Sequence, residues 1–336
     1  MTVLGVLWYF LIFLLIAGYF VFDGFDLGAG VLYPFIAKND EERALIRHAI
    51  GPVWDGNEVW LLTAGGALFA AFAPAYATTF SGFYLAIMLV LFGLILRAVA
   101  VEFASRDAAW AKVWNACFFI GSLLPALLTG VAVGNIYAGI PMDAGGNYAG
   151  VPLLGLVTPF TLLCGLFGLA MFMAAGAAWI SLKAPAASEL RKRAQSTRRI
   201  MQVVALALFA CISVYGHFGI APEGVAGLAF VRYALAILFV VAIVLAIAWN
   251  GNPDRDLHVF LLQSAAAVFV VFLLATSMFP NLVVASAGSV GPAITVANEA
   301  AGDLTLDWMT GIACVGVPLV LFYHVLVYRA FRGRLE

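Results

Sequence analysis

Apolar runs long enough to cross a bilayer recur nine times along this chain, and that repetition restricts the fold more than any other feature. A spanning helix needs about 20 mostly apolar residues. The runs are roughly Gly5–Ile36, Pro52–Phe72, Ala75–Phe103, Val113–Tyr137, Pro152–Leu182, Ile200–Ile220, Val225–Trp249, Leu257–Phe279 and Asp307–Phe331. Of the 336 residues, 64% are hydrophobic and only 10% charged, against roughly 25% charged in a soluble domain. Period-two alternation, the mark of a membrane β-barrel, is missing from the sequence. The expected fold is therefore an all-α integral membrane protein of nine transmembrane helices. The length of the first and fifth runs predicts tilt or a kink. The N-terminal run lacks the basic segment and cleavage site of a signal peptide and reads as a retained first helix.

Lysine and arginine orient the spans. If the chain alternates through nine crossings, Lys38, Arg43, Arg47, Arg97, Arg106, Lys112, Lys183, Arg191, Lys192, Arg193, Arg198, Arg199, Arg255, Arg329, Arg332 and Arg334 share one side, and only Arg232 lies near the other. The positive-inside rule then puts the C-terminus in the cytoplasm and the N-terminus outside. Residues 1–336 read as one polytopic domain. Its halves, about 5–138 and 152–279, are arranged as two four-helix bundles with a peripheral last helix, 307–331. "KAPAASELRKRAQSTRR" reads as a solvated cytoplasmic loop, and "PNLVVASAGSVGPAITVANEAAGDLTLD" as an external loop rich in turn formers. Cys117, Cys164, Cys211 and Cys314 lie in apolar runs without CxxC spacing and read as core residues. A net charge of −1 argues against a nucleic-acid partner.

Two motifs break the apolar pattern. "DGFDLGAG" puts Asp23 and Asp26 in the inner half of the first span, and "GPVWDGNEVW" puts Asp55 and Glu58 in the inner half of the second. Each pair is spaced i, i+3, so its members share a helix face. Asn57, Arg97 and Glu102 extend this polar layer. A charge near the bilayer centre costs at least about 2.5–3.5 kcal/mol, so such residues face inward and usually mark an ion or proton path. Carboxylates sharing a site repel and titrate as a coupled set. A lone intramembrane acid can equally be a buried hydrogen-bond partner. Gly24 and Gly28 form a small-xxx-small pair that admits a close helix. Trp54 and Trp60 read as packing, belt or partner-contact residues. The four histidines, His48, His217, His258 and His324, share no helix face, so no metal or haem ligand pair is apparent. His324 reads as a satisfied bundle residue.

These motifs, together with "LLTAGGALFAAF", "FSGFYLAIMLVLFGLILRAVAVEF", "GVAVGNIYAGIP", "TPFTLLCGLFGL", "LTLDWMT" and "VPLVLFYH", resemble subunit II of the cytochrome bd family of quinol oxidases from end to end. The match fits both the ordinary and the cyanide-insensitive branches. The resemblance implies a haem-free subunit of a bacterial inner-membrane complex. Its partner, subunit I, carries haem b, haem d and the quinol site. Small single-helix subunits can join the pair, and subunit II can hold a structural quinone. The complex would oxidise quinol, reduce O2 to water and build a proton gradient without pumping. By the same resemblance Asp23, Asp26 and Asp55 look like proton-path acids near the subunit interface; the place of Asp55 at the inner end of the second span makes it the expected uptake residue. Glu58 stands where some members have Gln, and Arg97 and Glu102 match a structural or path-lining pair. Two other readings fit the residues alone: a stand-alone proton- or cation-coupled transporter with unwound glycine-rich helices, and a purely structural subunit.

Overall fold

The structure, a computed structural model, describes residues 1–220 and 228–335. Its helices are α1 (Val3–Ile36), α2 (Asp40–Ile50), α3 (Trp54–Ala71), α4 (Ala73–Gly82), α5 (Tyr84–Phe103), α6 (Ala111–Ala138), α7 (Pro159–Lys183), α8 (Glu189–Tyr215), α9 (Ala229–Ala248), α10 (Asp256–Met278), α11 (Val296–Glu299) and α12 (Asp303–Ala330). Among the described residues eight helices are long and apolar enough to cross a membrane: α1, α5, α6, α7, α8 with its extension to Ile220, α9, α10 and α12. The expected second span forms α3, whose 18 residues begin with the polar Asp55, Asn57 and Glu58 and so fall outside that group.

Helix α1 is the hub. It packs against α7, α3, α6 and α10, and every residue from Asp23 to Tyr33 is buried. The close approach depends on missing side chains. A Cβ on Gly28 would lie 1.7 Å from the Phe172 carbonyl oxygen of α7, and one on Gly176 would lie 2.3 Å from the Ala29 nitrogen. The α1 and α7 backbones are therefore in direct contact, as the small-xxx-small spacing predicts.

Several boundaries differ from those expected. The third run is two helices, α4 and α5, because the chain turns at Phe83 (φ −97°, ψ 15°). The fifth span begins at Pro159, where Thr158 and Thr161 cap each other reciprocally; a 3-10 turn at Leu154–Leu156 precedes it. The expected start of the seventh span, Val225, lies outside the described residues. The largest correction concerns "KAPAASELRKRAQSTRR". It is not a solvated loop: Ser188 caps the start of α8, and Arg191 and Arg198 are buried. Asp256 on α10 compensates their charge. It meets Arg191 at 2.8 Å and Arg198 at 3.6 Å, and Gln195 donates to it at 3.1 Å. The stretch 280–306 is likewise packed rather than loose. It holds a two-stranded ribbon, β1 (Asn281–Val283) and β2 (Ile294–Thr295), with Leu282, Val283, Ile294 and Val296 buried. Cys117 and Cys164 are partly buried, but Cys211 and Cys314 are exposed. The last two sit on outward faces of α8 and α12, where an apolar thiol can meet lipid as readily as protein.

Candidate functional site

The glycines that seat α1 against α7 also fix the rotation of α1, and that rotation decides where its acids point. A Cβ on Gly24 would meet the Phe172 ring at 2.7 Å. Asp23 and Asp26, one turn apart, are wholly buried. Asp23 Oδ1 lies 2.7 Å from Arg97 Nη2 of α5, an equally buried guanidinium. The same Nη2 donates to Glu58 of α3, which remains partly open to the surface. One arginine thus bridges carboxylates from two other helices. Removing a buried guanidinium would strand both acids, a change that costs far more than a surface pair is worth.

Asp26 is held differently. Asn57 Nδ2 donates to Asp26 Oδ2 at 2.7 Å, and the Tyr328 hydroxyl of α12 donates to Asn57 Oδ1 at 3.0 Å. The amide can serve both because it carries a donor and an acceptor on one planar group. Four helices, α1, α3, α5 and α12, therefore meet in one polar layer. It contains three carboxyls and a single guanidinium.

The described residues do not use all of the layer's hydrogen-bonding capacity. Among the described residues, the Tyr19 hydroxyl, both Asp23 oxygens, Asp26 Oδ1, and Arg97 Nε and Nη1 have no hydrogen-bond partner. The Asp23–Arg97 contact is close but lacks hydrogen-bond alignment. Buried polar atoms that lack protein partners are ordinarily satisfied by ordered water. An acid-rich layer with this much unused hydrogen-bonding capacity is suited to hold and pass protons.

The remaining expected residues distribute around this layer. Asp55 is exposed in the first turn of α3, one turn before Glu58. Glu102 does not join. It is exposed and meets Arg106 at 3.6 Å, because residues five apart on a helix, such as Arg97 and Glu102, lie on different faces. Trp54 is partly buried. Trp60 is buried; its Nε1–H donates to His324 Nε2 at 3.1 Å. His324 Nδ1 lies 2.9 Å from the Val320 carbonyl oxygen, so both ring nitrogens are engaged and the ring is a packed bundle residue. Tyr19 and Tyr328 were not apparent as members of the layer in the sequence. The i+4 spacing from Tyr19 to Asp23 was the one signal for the first, and nothing local marks the second. Among the described residues no group of three or more His, Cys, Asp or Glu side chains could hold a metal ion.

The class defined by this arrangement is a polytopic helical membrane protein that keeps a cluster of ionisable groups inside its bundle. More specifically, the chain belongs to the cytochrome bd terminal oxidase subunit II family, whose model matches residues 4–331. Cytochrome bd-I ubiquinol oxidase subunit 2 of Escherichia coli (strain K12) is 33% identical over 366 residues, covering 99% of this chain and 95% of its own length. Cytochrome bd ubiquinol oxidase subunit 2 of Bacillus subtilis (strain 168) is 36% identical over 343 residues, with 98% and 96% covered. A chain in the structure of bd oxidase from Geobacillus thermodenitrificans shares the fold, with a TM-score of 0.80 at 14% identity over 98% of this chain and 99% of that one. The transporter reading gains nothing from these relatives. It also required unwound helices, whereas α1 and α3 run unbroken through their glycines.

Proposed function

We propose that this chain is the haem-free subunit II of a bacterial inner-membrane quinol oxidase and that its acids deliver protons toward the redox centres of a partner subunit I. The haems b and d of that partner would supply electron transfer and oxygen reduction. This chain's part is proton handling. Asp55, exposed at the start of α3, takes up a proton from the cytoplasm. Glu58, one turn along, passes it to the layer where Arg97 holds Asp23. Asp26, oriented by Asn57, is the other buried acid of the layer and continues toward the partner. In this reading α3 also crosses the membrane and brings the spans to nine, the two bundles are α1–α6 and α7–α10, α12 is peripheral, and the C-terminus is cytoplasmic, as the basic residues indicate.

The observation that supports this reading best is the buried Asp23–Arg97–Glu58 bridge, with unpartnered polar atoms on both Asp23 and Arg97. A purely structural ion pair would be expected to use its hydrogen-bonding capacity within the protein. The test is Asp55→Asn in the assembled two-subunit enzyme. Oxygen consumption and proton uptake should slow several-fold while haem content and the quinol KM stay unchanged. Wild-type rates in a fully haem-loaded variant would remove Asp55 from the path. Wild-type rates in an assembled Asp23→Asn variant as well would leave only the structural role.

A further inference from the structure

The middle of α1, the C-terminal ends of α7 and α12 and the N-terminal end of α10 enclose a groove of about 560 Å³ that borders the carboxylate layer at Tyr328. Its walls are apolar: Phe22 of α1, Leu182 of α7, and Leu257, Phe260 and Leu261 of α10. It opens outward past Leu257 and Leu261, both exposed. Its rim is basic: Lys183 closes α7, and Arg332 and Arg334 come from the segment after α12.

That segment is held in place. Gly333 adopts φ +105°, a conformation that favours glycine, and turns the chain back over the end of α7. Arg334 Nη1 donates to the carbonyls of Ser181 (2.9 Å) and Ala184 (2.8 Å), so it caps the negative end of α7. The Leu335 N–H donates to the Lys183 carbonyl at 2.7 Å. The rim is therefore preorganised.

Among the described residues, which do not include Glu336, the charges there do not balance. Asp256 is shared by Arg191, Arg198 and Arg334, so one carboxylate serves three guanidinia. Lys183 is 6% exposed; its ammonium donates to the Phe331 carbonyl and lies 4.9 Å over the Trp179 ring. No carboxylate of the described residues pairs with Lys183 or Arg332. A buried cation without an anion is costly.

We propose that this groove binds one anionic phospholipid, its acyl chain along Phe22, Phe260 and Leu261 and its phosphate at Lys183 and Arg332. The unpaired basic rim supplies a counter-charge that a phosphate needs and a neutral quinone does not, and the apolar walls select against a free anion. Basic pockets between membrane helices at the cytoplasmic face suit such headgroups. Lys183 and Arg332, assigned to the phosphate, are not residues of the proposed proton path.

The test uses the intact two-subunit complex, delipidated and then given phosphatidylglycerol or phosphatidylcholine in mixed micelles. Native mass spectrometry counts the retained lipid, and thermal unfolding reads the stabilisation it confers. Phosphatidylglycerol should be retained preferentially and raise the unfolding temperature. A Lys183→Gln/Arg332→Gln variant should bind it roughly thirtyfold more weakly, while Lys183→Arg should retain it. If the double variant fails to assemble, the wild-type competition decides alone. Equal retention of phosphatidylcholine, the same protection from inorganic phosphate, recovery of a quinone in place of the lipid, or undiminished binding by an assembled double variant would each overturn the assignment.

Discussion

Arg97 Nη2 on α5 sits 2.7 Å from Asp23 Oδ1 on α1, and neither side chain has measurable exposure. The same nitrogen bonds Glu58 on α3, so the guanidinium joins three helices through its charge. Breaking a buried pair on one side typically costs about 3–5 kcal/mol. Arg97→Gln is expected to destabilise the subunit on that scale and lower the yield of assembled complex. Arg97→Lys keeps the charge but loses the planar fork, and should fall between the two. Thermal unfolding of purified complex ranks them, and a Gln variant as stable as wild type would deny the bridge any structural weight.

Asn57 links Asp26 to Tyr328. Tyr328→Phe leaves Asn57 Oδ1 without its donor, for an expected loss of about 1–3 kcal/mol. Asn57→Ala removes the Asp26 donor as well. Since both substitutions act on one chain of bonds, a double-mutant cycle should return a coupling of about 0.5–3 kcal/mol. Simple additivity would mean that the two contacts are independent.

The α1–α7 contact makes Gly28 intolerant of any side chain. A Cβ there would lie 1.7 Å from a backbone oxygen, which no rotamer can relieve. Gly28→Ala should cost at least about 1–3 kcal/mol, the usual range for overpacking. Gly66 has nothing within 4 Å of a built Cβ, so Gly66→Ala in the same helical protein should be neutral or mildly stabilising. The comparison is made by expression level and thermal midpoint. Similar behaviour of the two variants would contradict the close approach.

Outside the spans, Asp143 is held below the usual carboxylate range, chiefly by the backbone N–H of Asn147, with the Asn147 amide and the Gly145 N–H adding to it. A depressed carboxyl contributes to the folded turn above its unfolded value, near 3.9. That contribution disappears as pH falls through the lower, folded value. The 143–147 turn should therefore be unaffected between neutral pH and about pH 4, and loosen only in stronger acid. Hydrogen exchange of the Gly145 and Asn147 amides, corrected for intrinsic rates, reads this directly. Asp143→Ala should be loose at every pH, and a tight turn in that variant would show that the carboxylate is not what orders it.

The acid pairs and the glycine pair could be read from the sequence because each departs from its surroundings at helical spacing. Asp23, Asp26, Gly24 and Gly28 lie within six positions of one another in the chain, and their rotation follows from local geometry. Other parts depended on long-range partners. The polar head of α8 reads as a loop in the sequence because charged residues in a run usually face water. Yet Arg191, Gln195, Arg198 and Gln202 repeat at steps of three and four, a stripe that only acquires meaning once Asp256, Asn250 and Gln263 stand opposite it. Tyr328 reaches Asn57 across 271 residues, and no spacing rule connects them. Glu102 shows the opposite: it is close to Arg97 in sequence but lies on another side of the helix, paired with Arg106.

Trp8 near the start of α1 donates to Leu306 and Thr310 on α12, and at the other end of the bundle Trp60 meets His324 on the same helix. Helix α1 thus finds two of its anchors about 300 residues downstream. Contacts so distant in sequence form late. During translation α1 and its acids are inserted long before α12 is made, so a chain stalled before α12 would lack Tyr328 and leave the Asn57 end of the polar layer unfinished.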